Sequence, residues 1–324
     1  MKYVEFGKTK EYLSEMCLGT MMFGDRCSEA EADRIIARAI DAGINFIDTA
    51  AMYCDGFTEE ILGPILNGRR EKVFLVTKVH KGVDKKSIIE SIDESLIRLK
   101  MDYVDLYLIH WPKKGMNPTE IMEALNQVVE KGKTRFVGCC NYPAWLVTHH
   151  NAIAERNNWS TLICNQIPYN LIERGVEVEV LPHAYAENIA ITSYRALVLG
   201  LLSGKYRPGE PIPANSRGVT DERIGNWLSQ YGDGINKFLK LADELGITPA
   251  ALAISWVRYS SAVTSPIVGV SSMNQFESCL KAFEFDLTEE QYNRLTKFFD
   301  TEVKEETGGA YKDLRRELRL LEDD

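Results

Sequence analysis

The chain has 324 residues, and its 38 Lys and Arg against 47 Asp and Glu leave a formal net charge of −9. Apolar residues make up 45% and charged residues 26%, a balance that supports a substantial core and excludes a wholly disordered chain. An acidic chain without a Lys/Arg block argues against nucleic acid as the main partner, although a local anion site is compatible with that average.

The first residues, M-K-Y-V-E-F-G-K-T-K, hold no apolar core of a secretory signal. The densest apolar stretch, 196–202, is seven residues long, whereas a membrane-spanning helix needs about 20. Seven cysteines without a C-x-x-C pair read as reduced thiols. The expectation is a cytoplasmic protein with no membrane partner and no metal site.

Along the chain, short apolar runs occur at 16–18, 44–47, 73–76, 104–109, 136–137, 162–164, 189–192 and 266–268. Between them lie amphipathic segments of helical length at 29–42, 87–99, 119–131, 144–157 and 178–187. In the second of these, Ile88, Ile89, Ile92, Leu96 and Leu99 form a helical stripe. Apart from Asn45, Asp105 and Thr192, the strand runs are apolar instead of alternating, as expected for parallel strands covered on both faces.

The residues that follow the runs are Gly19, Asp48, Lys78, His110, Asn141, Gln166, Tyr194 and Gly269, with successive gaps of 29, 30, 32, 31, 25, 28 and 75. The first six gaps are nearly equal, as a repeated strand and return helix require, and eight strand ends are the count that closes a (β/α)8 barrel. A doubly wound sheet also alternates strands and helices, but the glycine-rich G-x-G-x-x-G turn it would carry is missing from the sequence. The last gap is read as one barrel helix plus an insertion, about 199–231, rich in Gly, Pro and Ser. Beyond the barrel, 288–299 reads as a helix opened by a capping box of Thr288 and Gln291, and 311–321 as a charged helical tail. Length alone suggests two domains; the period points to one domain over 1–324, its tail at about 301–324.

In such a barrel the C-terminal strand ends form the active face. Asp48, Lys78 and His110 stand there, and Tyr53 follows Asp48 in D-T-A-A-M-Y. Singly, an Asp after a strand is ordinarily a cap, a Lys solvated and a His satisfied locally. Together they converge on one pocket. An ammonium beside a phenol lowers its pKa, a carboxylate holds the ammonium, and a histidine opposite can orient a substrate oxygen. The set suits proton transfer to a carbonyl while another group supplies hydride. H-E-x-x-H, G-x-S-x-G and G-x-x-x-x-G-K-[ST] do not occur, and adjacent His149 and His150, about 100° apart on a helix, read as surface residues.

From about residue 1 to 300 the chain resembles the aldo-keto reductase superfamily. The resemblance rests on S-E-M-C-L-G-T-M-M-F-G, D-T-A-A-M-Y, the strand end at Lys78 and D-L-Y-L-I-H-W-P. It is similar to the long-loop members, which include bacterial reductases and potassium-channel β subunits. The resemblance implies an α/β fold: a (β/α)8 TIM barrel with an N-terminal hairpin, a long loop after strand 7 and C-terminal extra helices. It implies Asp48, Tyr53, Lys78 and His110 as the catalytic set, with Tyr53 as general acid/base. It also implies NADP(H), with NAD(H) as the alternative, lying across the barrel mouth. Gly19, Thr20, Met21, Asp48, Asn141, Gln166, Tyr194, Arg195, Leu197, Leu201, Ser203, Lys205, Arg217, Gly269, Ser271 and Gln275 are its implied contacts.

Several positions depart from the family pattern. Cys140 stands where Ser is frequent, Arg195 and Ala196 replace the usual Ser-Pro, Ser271 stands where Arg or Lys is frequent, and Cys279 where Asn is. Met22, Phe23, Met52, Cys54, His80 and Trp111 are expected around the substrate. The expected activity is interconversion of an aldehyde, ketone or sugar carbonyl with its alcohol. The other reading is a redox-sensing, cofactor-binding regulatory subunit with little turnover. A small-molecule substrate is the expected partner, and a homo-oligomer is compatible with the sequence.

Overall fold

In the computed structural model, which describes residues 1–299, each expected apolar run pairs with the next. A hairpin of β1 (Tyr3–Glu5) and β2 (Tyr12–Ser14) precedes the barrel. The barrel strands are β3 (Cys17–Gly19), β4 (Phe46–Asp48), β5 (Phe74–Lys78), β6 (Val104–Ile109), β7 (Thr134–Cys140), β8 (Leu162–Pro168), β9 (Ala190–Tyr194) and β10 (Ser265–Gly269). All eight neighbours are parallel, and β10 closes on β3. This is the expected TIM barrel. The expected tail at 301–324, with its helix at 311–321, lies outside the described residues.

Helices return the chain between strands: α1 (Glu29–Asp41), α2 (Phe57–Leu66), α3 (Lys85–Leu99), α4 (Pro118–Glu130), α5 (Ala144–Asn157) and α6 (Val180–Ala186). After β9 come α7 (Glu222–Leu245) and α8 (Pro249–Tyr259), and after β10 come α9 (Met273–Leu280) and α10 (Glu289–Thr296). The starts of α1, α3, α4, α8 and α9 are capped by short polar side chains, Ser28, Asp84, Asn117, Thr248 and Ser272. The capping box of α10 forms: Gln291 N–H donates to Thr288 Oγ1 at 3.2 Å, and Thr288 N–H to Gln291 Oε1 at 2.9 Å.

Successive side chains on a strand alternate between faces. Phe46, Phe74, Val76, Leu106, Leu108, Cys140 and Cys164 belong to one buried cluster inside the barrel, whereas Ile47, Leu75, Tyr107, Ile109, Val137 and Cys139 pack with the helices. Continuing that alternation one step past the inner residues brings Asp48, Lys78, His110 and Gln166 to the inner rim. At the other pole, Phe6 from the hairpin packs edge-on against Phe46 at 5.4 Å and tilted, at 54°, against Phe74 at 5.6 Å, stoppering the barrel floor.

Two expectations need correction. The insertion at 199–231 is not loop to its end: from Glu222 it is already α7, whose Ile224 is buried and whose Trp227, Leu228 and Tyr231 pack on the core. The stretch between β9 and β10 therefore carries two helices, α7 and α8, instead of one. His150 is not a surface residue. It is fully buried, its Nδ1 lies 2.8 Å from the Leu146 carbonyl oxygen, and its ring meets Tyr142 edge-on.

Candidate active site

Lys78, the last residue of β5, is 0% exposed, and Asp48, the last of β4, is 2% exposed. The Lys78 ammonium donates to Asp48 Oδ1 at 2.7 Å and to the Thr49 carbonyl at 2.7 Å, and lies 3.3 Å from the Tyr53 hydroxyl. The other Asp48 oxygen accepts from Gln166 Nε2 at 2.8 Å. Thr20 donates to the Asp48 carbonyl from its N–H and its hydroxyl, at 3.0 and 2.9 Å. Every oxygen of Asp48 is thus partnered, as a buried carboxylate requires.

Tyr53 begins a tight turn in which Cys54, Asp55 and Gly56 all have positive φ (49°, 55° and 97°). That left-handed run folds the ring back over the Lys78 side chain, 5.0 Å from the ammonium. The turn is seated from below: a Cβ on Gly56 would lie 2.7 Å from Arg98 Cδ. Arg98 Nε donates to the fully buried Glu59 at 2.7 Å, whose second oxygen accepts from Thr77 of β5 at 2.6 Å.

Electrostatics differ from the simple expectation for the phenol. Burial pushes Tyr53 up to about 12; Lys78 pulls the other way, but does not prevail. Burial alone would lower the Lys78 ammonium, yet Asp48 and Tyr53 hold it above its ordinary value. His110 faces Tyr53, ring centroids 6.3 Å apart at 78°. Burial, reinforced by Lys78 and His80, drops His110 to about 3, so its imidazole is neutral near pH 7. Its Nδ1 is buried and has no hydrogen-bond partner among the described residues.

Beside this group lies a second polar cluster. Asn141, with φ of 62° at the exit of β7, donates to the His110 carbonyl at 3.2 Å and accepts from the Tyr194 hydroxyl at 2.6 Å. Arg195, also left-handed at 64°, covers the Tyr194 ring at 5.4 Å and pairs with Glu173 at 3.4 Å. Gly19 and Gly269 pair in register, and a Cβ on Gly19 would strike Ile267 at 2.8 Å. Two amide side chains, a half-buried tyrosine and a glycine-lined wall fit the carboxamide-bearing ring of a nicotinamide dinucleotide.

The remaining expected residues scatter around the mouth. Met21, Met52, His80 and Trp111 are exposed, Trp111 at 48% with its ring stacked 6.2 Å from His110. Met22 and Cys54 are half-buried, and the Cys54 thiol lies 3.6 Å from the Phe23 carbonyl oxygen. Phe23 itself is fully buried in the core, as is Leu201, while Leu197 is half-buried. Ser203 donates to the Gly200 carbonyl at 2.7 Å, and Lys205 is exposed, its ammonium 5.1 Å over the Tyr206 ring. Arg217 opens a short turn, its guanidinium pKa lowered by burial and by Arg26. Ser271 donates from N–H and hydroxyl to Gln275 Oε1 at 2.9 and 3.1 Å.

Four participants escape sequence reasoning: the Thr49 carbonyl, Glu59, Glu173 and Arg26. A backbone acceptor carries no residue signal, and the other three act across elements far apart in the chain.

The sequence profile described as the Aldo/keto reductase family matches residues 15–300. An uncharacterized oxidoreductase, YrpG of Bacillus subtilis (strain 168), is 33% identical over 319 residues, covering 92% of this chain and 96% of the relative. Protein tas of Escherichia coli (strain K12) is 30% identical over 330 residues, covering 90% and 95%. A probable voltage-gated potassium channel subunit beta of Arabidopsis thaliana is 33% identical over 302 residues, covering 88% and 92%. Among the described residues, no cluster of His, Cys, Asp or Glu could hold a metal ion, and no helix is long and apolar enough to cross a membrane.

Proposed function

The chain belongs to the aldo/keto reductase family, and from that premise we propose that it interconverts an aldehyde, ketone or sugar carbonyl with its alcohol, using NADP(H) or, alternatively, NAD(H). The observation that carries this reading is the buried Lys78 ammonium joining Asp48 to the Tyr53 hydroxyl, opposite a neutral His110. When bound, the dinucleotide supplies or accepts the hydride.

The chain's own residues supply the rest. Tyr53 gives its proton to the carbonyl oxygen in reduction and takes it back in oxidation. Lys78 stabilises the phenolate left behind, and Asp48 fixes Lys78 in place. His110, uncharged, offers a hydrogen bond without attracting a carboxylate into the pocket. Asn141, Gln166 and Tyr194 hold the carboxamide-bearing ring; Gly19, Met21, Arg195, Leu197, Ser203, Lys205 and Gly269 line its course, with the buried Thr20 and Leu201 supporting that surface from behind. Arg217, Ser271 and Gln275 meet the adenosine end. Met22, Met52, Cys54, His80 and Trp111 border the substrate, with Phe23 supporting them from the core.

The test is a panel of aldehydes, ketones and sugars with purified protein and NADPH or NADH, repeated with Tyr53→Phe. Turnover should fall by about 10²–10⁴-fold in the variant while dinucleotide binding persists. Substantial carbonyl reduction by Tyr53→Phe would sink the assignment. The likeness to the channel subunit favours a second reading, a cofactor-sensing regulatory subunit. Tight dinucleotide binding without turnover across the panel would select it.

A further inference from the structure

Beneath the site, one carboxylate is tied to both partners of the proton-transfer pair. Glu59 is the third residue of α2 and is fully buried, the inner end of an ion pair with Arg98 from the last turn of α3. One Glu59 oxygen accepts from the Thr77 hydroxyl at 2.6 Å. Thr77 is the neighbour of Lys78 on β5, its side chain turned outward as that of Lys78 turns in. The other oxygen accepts from Arg98 Nε at 2.7 Å, and the same side chain passes beneath Gly56 in the turn that begins with Tyr53. Arg98 is itself held. Gly63 of α2 approaches α3 so closely that a Cβ there would lie 2.6 Å from the Leu99 carbonyl oxygen, and Arg98 Nη2 donates to Ser95 Oγ at 3.2 Å.

These contacts close a ring. It runs from the Tyr53 hydroxyl to Lys78, along β5 to Thr77, across to Glu59, and back through Gly56 to Tyr53. Its longest link is the 3.3 Å approach of the Lys78 ammonium to the phenol, beyond the usual length of a charge-assisted hydrogen bond. A small displacement of either side therefore breaks that link first. For stability alone, apolar side chains of the same volume commonly serve as well as a buried ion pair. What this pair adds, with Thr77 as a third anchor, is a fixed position.

We propose that Glu59 is a positioning residue for proton transfer: by tying β5 and the Tyr53 turn to one buried point, it sets the separation of Lys78 and Tyr53. The inference rests on the carbonyl chemistry proposed above and deepens it, since it names what holds the two reacting side chains in register.

The experiment combines steady-state kinetics on a carbonyl substrate of the panel with dinucleotide titration and denaturant unfolding, for the wild type, Thr77→Val, Thr77→Ser and Glu59→Gln. Valine keeps the shape of threonine and removes the tie to β5, whereas serine keeps the hydroxyl. In Thr77→Val, kcat should fall by about tenfold while KM and the dissociation constants of NADPH and NADH stay within about twofold. Thr77→Ser should return kcat to within about twofold of the wild type. Glu59→Gln offers one acceptor to two donors, and its kcat should fall by about threefold or more with binding kept. Unchanged kcat in either folded variant, an equal change in kcat and binding, or no rescue by serine overturns the inference and leaves the proposed function standing. If one of Thr77→Val and Glu59→Gln does not fold, the other decides; if neither folds, the bridge is structural and the inference falls. A wild-type chain without turnover on any panel substrate overturns the proposed function and the inference with it.

Discussion

The Lys78 ammonium lies 2.7 Å from Asp48 Oδ1 with both side chains withdrawn from solvent. A charge pair so placed tolerates loss of both partners far better than loss of one, because a lone buried carboxylate has no counter-ion. Lys78→Met should lower stability by about 3–5 kcal/mol in denaturant unfolding. Lys78→Met combined with Asp48→Asn should be more stable than the single variant. Equal or greater loss in the double variant would show that the pair does not act as a unit.

The pH dependence of stability has two opposed limbs. His110 titrates at about 3 when folded, well below the ordinary histidine value of about 6.5. Between those values only the unfolded chain takes up the proton, so this contribution is complete above about pH 6.5 and is lost as pH falls toward 3. Tyr53 is the reverse: raised to about 12, its contribution is complete below about pH 10 and is lost as pH rises through the folded value. Chemical unfolding across the acid range should show a flatter slope for His110→Gln than for the wild type. Tyr53→Phe should flatten the alkaline side alone.

Gly56 sits at φ of 97° with Arg98 directly beneath it. Gly56→Ala combines a left-handed alanine with a displaced Arg98, and should lower stability by about 1–3 kcal/mol. Because that turn carries Tyr53, turnover should fall while NADH affinity stays within about twofold, a split between catalysis and binding read by steady-state kinetics and titration. Unaltered turnover would detach the turn from the placement of Tyr53.

Arg217→Ala should weaken NADPH by about tenfold and leave NADH nearly unchanged, as loss of a charge-assisted contact to a 2′-phosphate predicts. An equal effect on both dinucleotides, measured by titration, would remove Arg217 from that role.

The barrel was legible because its runs are largely apolar on both faces and the first seven are nearly evenly spaced, and the inner rim followed from alternation past Phe46, Val76 and Leu108. Edges were less so. The run at 136–137 marks only the middle of β7, whose first residues, Thr134 and Arg135, carry polar side chains. The start of α7 was hidden by composition: Gly225, Gly232 and Gly234 lower helix propensity, while Ile224, Trp227, Leu228 and Tyr231 keep a helical stripe within them. His150 looked like one of an exposed pair because burial of a helix face is settled by its neighbours, here Tyr142. The phenol of Tyr53 was expected to be acidified by Lys78. How strongly desolvation competes depends on how much chain closes over the ring, a quantity that residue order does not carry.

The aromatic stopper built from Phe6, Phe46 and Phe74 gives the molecule a front and a back. The turn joining β1 to β2 carries Lys8 and Lys10, both exposed, on the pole away from the mouth. A cysteine placed at Lys10 could be coupled to a resin or electrode through that pole. Every immobilised molecule would then present its open end to the solution, and diffusion of small solutes into the mouth would proceed as it does for the free protein.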